Sequence, residues 1–293
     1  MKGISLHSII PVRTEAREGA EQSTQMLFGE TCAILTNDQR LTTNDHWTHV
    51  RLDSDGQEGY VDTKMLTPMS DREYRDYRKA YKAAAYVAFP MVYAVSENNG
   101  QTIPLTAGTR LTNYSVISIQ PSAAQIGHFE VLGVGFRVDP GMVIAQPREL
   151  NEQNLQQVVR FFLNTPYLWG GKNALGMDCS GFTQTVMSLF GKQLLRNASE
   201  QVTQGRAISL FNNARAGDLV FFDHHDGRIS HVGIVLSPPS REGAGVGFST
   251  LIHCSGRVKV EKLDENGIFS IEKKDPNNPN GQYTHHLVAI RRV

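Results

Sequence analysis

The chain has 293 residues, 40% hydrophobic and 20% charged, a balance that suits soluble globular folding and leaves room for two or three domains. Its 29 Lys and Arg offset 29 Asp and Glu, so no net charge draws it to nucleic acid or to an anionic membrane, and a small ligand of mixed charge fits better. No run of about 18 apolar residues is present to span a bilayer, and Cys32, Cys179 and Cys254 are too scattered for a disulfide framework or a Cys-x-x-Cys metal pair.

The start, residues 1–11, carries one basic residue, Lys2, but neither the continuous apolar region nor the small-residue cleavage site of a secretory leader. A complete chain is therefore expected in the cytoplasm, and one that has lost a leader in the periplasm or cell envelope. Residues 1–68 show short strand-like runs, Cys32-Ala33-Ile34-Leu35, residues 47–52 and Gly59-Tyr60-Val61, broken by Asn37-Asp38, Asn44-Asp45 and Asp53-Ser54-Asp55-Gly56. Such runs predict a small antiparallel barrel, not βαβ units. Residues 25–30, the Trp47-x-x-Val50 pair and Gly59-Tyr60-Val61 resemble a bacterial SH3-like domain. Residues 69–146 open with 71–81, rich in charge and tyrosine, which reads as a linker or short solvated helix between modules. Further short runs follow at 85–88, 91–95, 109–111, 115–119 and 128–132, with turns at Asn98-Asn99-Gly100 and Thr106-Ala107-Gly108. They predict a second, divergent SH3-like barrel.

From Pro147 the pattern turns helical. Leu155, Val158, Val159 and Phe162 share one face, and Pro147, Arg148 and Glu149 sit near the start, where Pro and an acidic residue are favoured. The Gly-rich stretch 165–178 holds no long regular element, whereas Phe182, Val186, Leu189 and Phe190 recur at the spacing of one helix face. Cys179 therefore sits where a loop becomes a helix, with Asp178 placed as the N-cap and Ser180 in the first turn. Unpaired N–H groups and the positive end of the macrodipole at that point are expected to lower the thiol pKa. Strand-like runs at 218–222, 231–236, 249–253 and 287–290 complete residues 147–293 as a nucleophile-bearing helix packed on an antiparallel sheet, an α+β layout.

Tyr167, Trp169, Gly170 and Gly171, followed by Asp178-Cys179-Ser180-Gly181-Phe182 at a helix start, resemble the catalytic-cysteine motif of the NlpC/p60 cell-wall cysteine peptidases. Ser230-His231-Val232-Gly233-Ile234 and Ile252-His253-Cys254-Ser255-Gly256 match the family's two histidine motifs, and residues 216–222 a strand of its scaffold. A cysteine nucleophile needs a base for its proton and a third group to hold that base in one tautomer. His231 opens an apolar strand after a polar turn, and His253 stands before a Ser-Gly turn. The resemblance implies a papain-like core with Cys179 as nucleophile, His231 as general base and His253 as the residue that orients it. The Cys179 N–H suits an oxyanion hole, and the resemblance adds the Tyr167 side chain to it.

Cys254 follows His253, so strand alternation points it to the opposite face, and with Cys32 it reads as packing. Trp169 reads as loop packing, and His224 and His225 as a solvated turn. A metal reading of His224, His225, His231, His253 and Cys254 lacks the tight spacing of a ligand set, so no metal and no cofactor is expected.

The chain is thus expected to be multidomain, two small all-β SH3-like barrels (1–68 and 69–146) followed by an α+β papain-like catalytic domain (147–293). That order resembles the γ-D-glutamyl-L-diamino-acid endopeptidases, or dipeptidyl-peptidases VI. The resemblance implies hydrolysis of the bond between γ-D-Glu and meso-diaminopimelate or L-Lys in a murein tripeptide or tetrapeptide with a free L-Ala amine, releasing L-Ala-γ-D-Glu. It also implies that Asp178, Ser180 and Ser199, with Glu30 and Tyr60 of the first SH3-like domain, contact the amine end. An ammonium beside the nucleophile needs an acidic partner and good hydrogen bonds, which Asp178 and Ser180 are placed to give. The alternatives are a secreted hydrolase whose SH3-like domains bind intact peptidoglycan, an acyltransferase or amidase on the same core, and a binding module with a dead site; the intact Cys179, His231 and His253 set argues against the last.

Overall fold

The computed structural model describes residues 1–35, 46–118, 125–239, 248–273 and 280–293. The expected turns at 37–38 and 44–45, and Ile119, lie outside these. The chain divides into two compact units, Met1–Arg148 with Trp169–Ala174, and Glu149–Leu168 with Leu175–Val293.

In the first unit, β1 (Lys2–Ser5), β2 (Ile9–Arg13), β3 (Gln22–Leu27), β4 (Thr31–Ile34), β5 (Trp47–Leu52), β6 (Glu58–Asp62) and β7 (Leu66–Met69) form one sheet in the order β3-β2-β6-β5-β4-β1-β7. Ile10, Val12, Met26, Ile34, Val50, Leu52 and Val61 make its aliphatic core. Helix α1 (Asp71–Lys82) follows, capped by Ser70 and Glu73 in a reciprocal capping box. It is not solvated all round. Tyr77 and Tyr81, four residues apart on one face, are buried in a second core with Ile4, Phe28, Phe129 and Phe136. That core joins the first sheet to the strands after α1. These are β8 (Ala85–Val87), β9 (Met91–Ser96), β10 (Thr102–Thr106), β11 (Arg110–Leu111), β12 (Ser115–Ser118), β13 (Gln125–Val131), β14 (Val134–Val138) and β15 (Val143–Ile144), in sheets ordered β10-β9-β14-β13-β12 and β11-β8-β15.

Trp169–Ala174, with the short strand β16 (Lys172–Asn173), is held by the same unit. The Lys172 ammonium lies 3.0 Å from both oxygens of Glu30, and Gln25 accepts from the Lys172 N–H at 3.0 Å and from the Asn173 amide at 2.8 Å. Gly170 has φ +72°, and a Cβ there would lie 2.3 Å from the Gln22 carbonyl, so the loop's approach requires glycine.

The second unit opens with α2 (Glu152–Val159). Its N-cap is Asn151, which accepts from the Asn154 N–H, so the helix starts later than Pro147. Leu155, Val158, Val159 and Phe162 are buried together, as their spacing predicts. After β17 (Gly176–Met177) comes α3 (Cys179–Ser188), then α4 (Ala198–Gln201) and the strands β18 (Arg206–Ala207), β19 (Leu219–Asp223), β20 (His231–Ser237), β21 (Ser249–Ser255), β22 (Arg257–Asp264), β23 (Gly267–Ser270) and β24 (Gln282–Arg292).

The order β18-β24-β19-β20-β21-β22-β23, with β24 pairing β23 as well, closes six of these strands into a ring. The long strand β24 does this by pairing β23 through residues 282–286 and β19 through residues 286–291. Val220, Val235, Leu251, Leu263, Ile268 and Ile290 fill the inside of the ring. Helix α3 packs outside it, across β20 and β21, with Phe182 and Val186 fully buried.

Candidate active site

Asp178 caps α3, accepting the Gly181 N–H at 2.7 Å, so Cys179 is the first helical residue and its N–H is one of those a helix leaves without an intrahelical acceptor. Arg196 reaches Asp178 Oδ1 at 3.1 Å and Oδ2 at 2.5 Å, and the Ser180 hydroxyl at 2.8 Å. Arg196 is 1% exposed, the largest fully buried side chain in the molecule among the described residues. Sequence reasoning passed over it and took only Ser199, three residues on; an arginine is rarely fully buried unless paired, and the partner lies 18 residues away.

His231 opens β20, and on one face of the sheet it is followed by Gly233, which pairs directly with His253 of β21. A side chain at Gly233 would sit 3.1 Å from the His253 Cβ, so the glycine leaves the two rings room to meet. They do: His231 Nε2 lies 2.7 Å from His253 Nδ1, and His253 Nε2 lies 2.8 Å from Glu261 Oε2. Lys259 Nζ stands 3.2 Å from the same carboxylate oxygen. His253 pairs across the sheet with Lys259 and Leu251 with Glu261, so all four side chains share the inner face of the ring.

Below them lies the apolar filling. The end of the barrel that holds His231 therefore carries a buried polar layer, and His285 of β24 lies over the His231 ring with centroids 4.5 Å apart. His224 and His225 are exposed as expected, yet they are not merely solvated: His224 lies beside His285 and His225 stacks on His286.

Burial and the adjacent Asp178 carboxylate push the Cys179 thiol up to about 11, outweighing the Val232 and Ser180 N–H groups that favour the thiolate. The helix start alone therefore does not activate this thiol. Burial, then the like charges of His253, His285, His224 and Lys259, drives His231 well below the ordinary histidine value. Burial also lowers His253, against the pull of Glu261. Burial works to raise Glu261, but the hydrogen bond from His253, the neighbouring Ser270 hydroxyl and the Lys259 charge hold it down at about 2. The free protein thus rests as a thiol, two neutral imidazoles and a carboxylate. His231 Nε2 is engaged by His253, so the second ring nitrogen, Nδ1, takes no part in that bond.

Tyr167 is 36% exposed, and burial and the nearby Cys179 push its phenol up, so it stays a hydrogen-bond donor. Ser180 is buried in the Arg196 and Asp178 cluster, while Ser199 is exposed on α4. Glu30 and Tyr60 belong to the first unit, where Glu30 meets the Lys172 ammonium and the Leu27 N–H and Tyr60 stacks on His49. Cys254 lies on the face opposite His253, its Sγ donating to the Met177 carbonyl at 3.1 Å, and Cys32 is buried. Trp169 is 59% exposed and does not pack as expected.

Among the described residues no three His, Cys, Asp or Glu side chains are grouped to hold a metal, and no helix is long and apolar enough to cross a membrane.

Residues 164–271 match the NlpC/P60 family and residues 12–66 the bacterial dipeptidyl-peptidase SH3 domain. A Bacillus subtilis protein named gamma-D-glutamyl-L-lysine dipeptidyl-peptidase is 32% identical over 135 residues, 44% of this chain and 45% of that protein. A Bacillus cereus protein of the same name is 35% identical over 79 residues, 26% of this chain and 23% of that one. The matches thus span less than half the length of these curated relatives. The crystal structure of an NlpC/P60 family protein from Bacillus cereus shares the fold, with a TM-score of 0.72 over 100% of this chain and 99% of that one at 18% identity. The chain accordingly carries a β-rich bacterial dipeptidyl-peptidase SH3 domain followed by the catalytic domain of the NlpC/P60 cysteine peptidase family.

Proposed function

We propose that the protein hydrolyses the amide bond between γ-D-glutamate and a diamino acid in murein peptides with a free N-terminal L-Ala, releasing L-Ala-γ-D-Glu in peptidoglycan turnover or recycling. The observation that carries this reading is the ordered set of Cys179 at a helix start, His231, and His253 bonded to His231 at 2.7 Å. The name of the Bacillus subtilis relative, gamma-D-glutamyl-L-lysine dipeptidyl-peptidase, supports the bond class.

In the reaction, His231 Nδ1 takes the Cys179 thiol proton as sulfur attacks the γ-carbonyl carbon. The oxyanion meets the Cys179 N–H and the Tyr167 hydroxyl. The imidazolium returns its proton to the departing α-amine of the diamino acid, leaving a thioester on Cys179. Water, deprotonated by His231, then attacks the thioester, and L-Ala-γ-D-Glu leaves as the thiol is restored. Asp178 and Ser180 supply acceptors for the L-Ala ammonium, held in place by Arg196. With Arg196 balancing Asp178, the cluster reads the amine through directed hydrogen bonds more than through net charge.

The test is release of the diamino acid from L-Ala-γ-D-Glu-meso-diaminopimelate and its L-Lys counterpart, beside N-acetylated twins, with Cys179→Ala as the blank. Cleavage of the free peptides alone is expected. Equal cleavage of the acetylated twins would point to a general wall endopeptidase, and cleavage of none would return the acyltransferase or amidase reading.

A further inference from the structure

A histidine pair joined nitrogen to nitrogen has no intrinsic direction. With the same 2.7 Å separation, His231 Nε2–H donates to His253 Nδ1, or His253 Nδ1–H donates to His231 Nε2. Only the first arrangement leaves a lone pair on His231 Nδ1. In the second, neutral His231 carries its proton on Nδ1 and accepts none from a thiol. Something outside the pair must choose.

We propose that Glu261 is the positioning residue that makes this choice, fixing both histidines as Nε2–H tautomers and so keeping His231 Nδ1 open for the Cys179 proton. An ionised carboxylate only accepts, so His253 Nε2, 2.8 Å from Glu261 Oε2, must carry the hydrogen. Neutral His253 then presents a bare Nδ1, which accepts from His231 Nε2–H, and neutral His231 presents a bare Nδ1 in turn. When His231 takes up the thiol proton, its Nε2–H charge is stabilised through His253 by the carboxylate behind it.

The groups around Glu261 keep it in the accepting state. Lys259 on its own strand lies 3.2 Å from Oε2 and 3.5 Å from a Glu272 oxygen, while His253 on β21 donates to it and the Ser270 hydroxyl on β23 is its neighbour. His285 on β24 and His224 add no negative charge, so Glu261 is the carboxylate of the relay.

The inference rests on the peptidase reading above, but its primary test needs no substrate. In the full chain labelled with 15N-histidine at about pH 7, where neutral imidazoles are observable, long-range 1H–15N spectra should show His231 and His253 protonated on Nε2 alone. A proton on His253 Nδ1 in the wild type would overturn the proposal. Because this readout is independent of which peptide is cut, it stands or falls separately from the substrate assignment. Glu261→Gln, whose amide can also donate, should shift His253 towards the Nδ1–H tautomer. It should also lower kcat by about a hundredfold with KM within about twofold. A variant that keeps both the wild-type tautomers and kcat would equally overturn it, and the wild-type spectrum decides should the variant not fold.

Discussion

The first sheet and the catalytic ring are both antiparallel, yet their interiors differ. Between β1 and β7 the buried faces carry Ile10, Val12, Met26, Val50, Leu52 and Val61. In the catalytic ring, Val220, Val235, Leu251 and Leu263 fill only part of the inside, and His231, His253 and Glu261 occupy the rest. An aliphatic filling stabilises directly by leaving water. A polar layer gains little net stability, because desolvation offsets its hydrogen bonds, and it persists only where partners are supplied. The chain therefore gives up stability in the ring to hold a hydrogen-bonded set of His231, His253 and Glu261, while the main cluster of the first sheet stays aliphatic.

The cost of buried polar groups is expected to be largest at the Arg196–Asp178 pair, at the start of α3 outside the ring. Arg196→Met leaves the Asp178 carboxylate buried without its main partner, and urea unfolding of the full chain should show a loss of about 4 kcal/mol. A loss below about 1 kcal/mol would mean that the polar cluster is as forgiving as a surface pair.

Acid should separate the two interiors next. His231, His253 and His285 all sit below the ordinary histidine value, His285 at about 4. The unfolded chain thus takes up protons first. Stability is full above about pH 6.5 and falls towards the folded values, by about 3 kcal/mol at pH 4 from His285 alone. Glu261 acts in the same direction lower down, its stabilisation present above about pH 4.5 and lost as pH falls towards about 2. Hydrogen exchange at about pH 4 should find β20, β21 and β24 exposed before β2, β5 and β6; simultaneous loss would remove the distinction.

The smallest effect sharpens the comparison inside the ring. Gly233→Ala places a methyl 2.9 Å from Leu251 and 3.1 Å from the His253 Cβ. A shift of His253 by a few tenths of an ångström should lower kcat about tenfold with little change in melting temperature. An unchanged kcat would show that the relay tolerates displacement.

Much of the surroundings of Cys179 was legible because local rules and tertiary structure agree there. Asp178 caps, Cys179 opens the helix, and Phe182 and Val186 are buried as their spacing requires. Strand β22 was not legible. In Arg257-Val258-Lys259-Val260-Glu261-Lys262-Leu263 the alternation changes phase, so that Val260 is 42% exposed while Glu261 is 8% exposed. Hydrophobic patterning turns a glutamate outward, and only the histidine from the neighbouring strand brings it in. The same cause hid Arg196. Helix α1 misled in the opposite sense: eleven residues crowded with charge read as solvated, yet Tyr77 and Tyr81 one turn apart were enough to bury a face.

Strand β24 has a consequence for biosynthesis. It joins β19 to β23, and Arg292 grips Asp218 through two bonds of 2.7 Å, 74 residues back along the chain. A nascent chain that has completed β23 at residue 270 but not yet made β24 has Cys179, His231, His253 and Glu261, but an open sheet with two unpaired edges. The ring closes only after β24 has cleared the ribosome, through contacts of long sequence separation that form slowly. Closure of the ring is thus among the last steps of assembly, because its two edges stay apart until β24 is made.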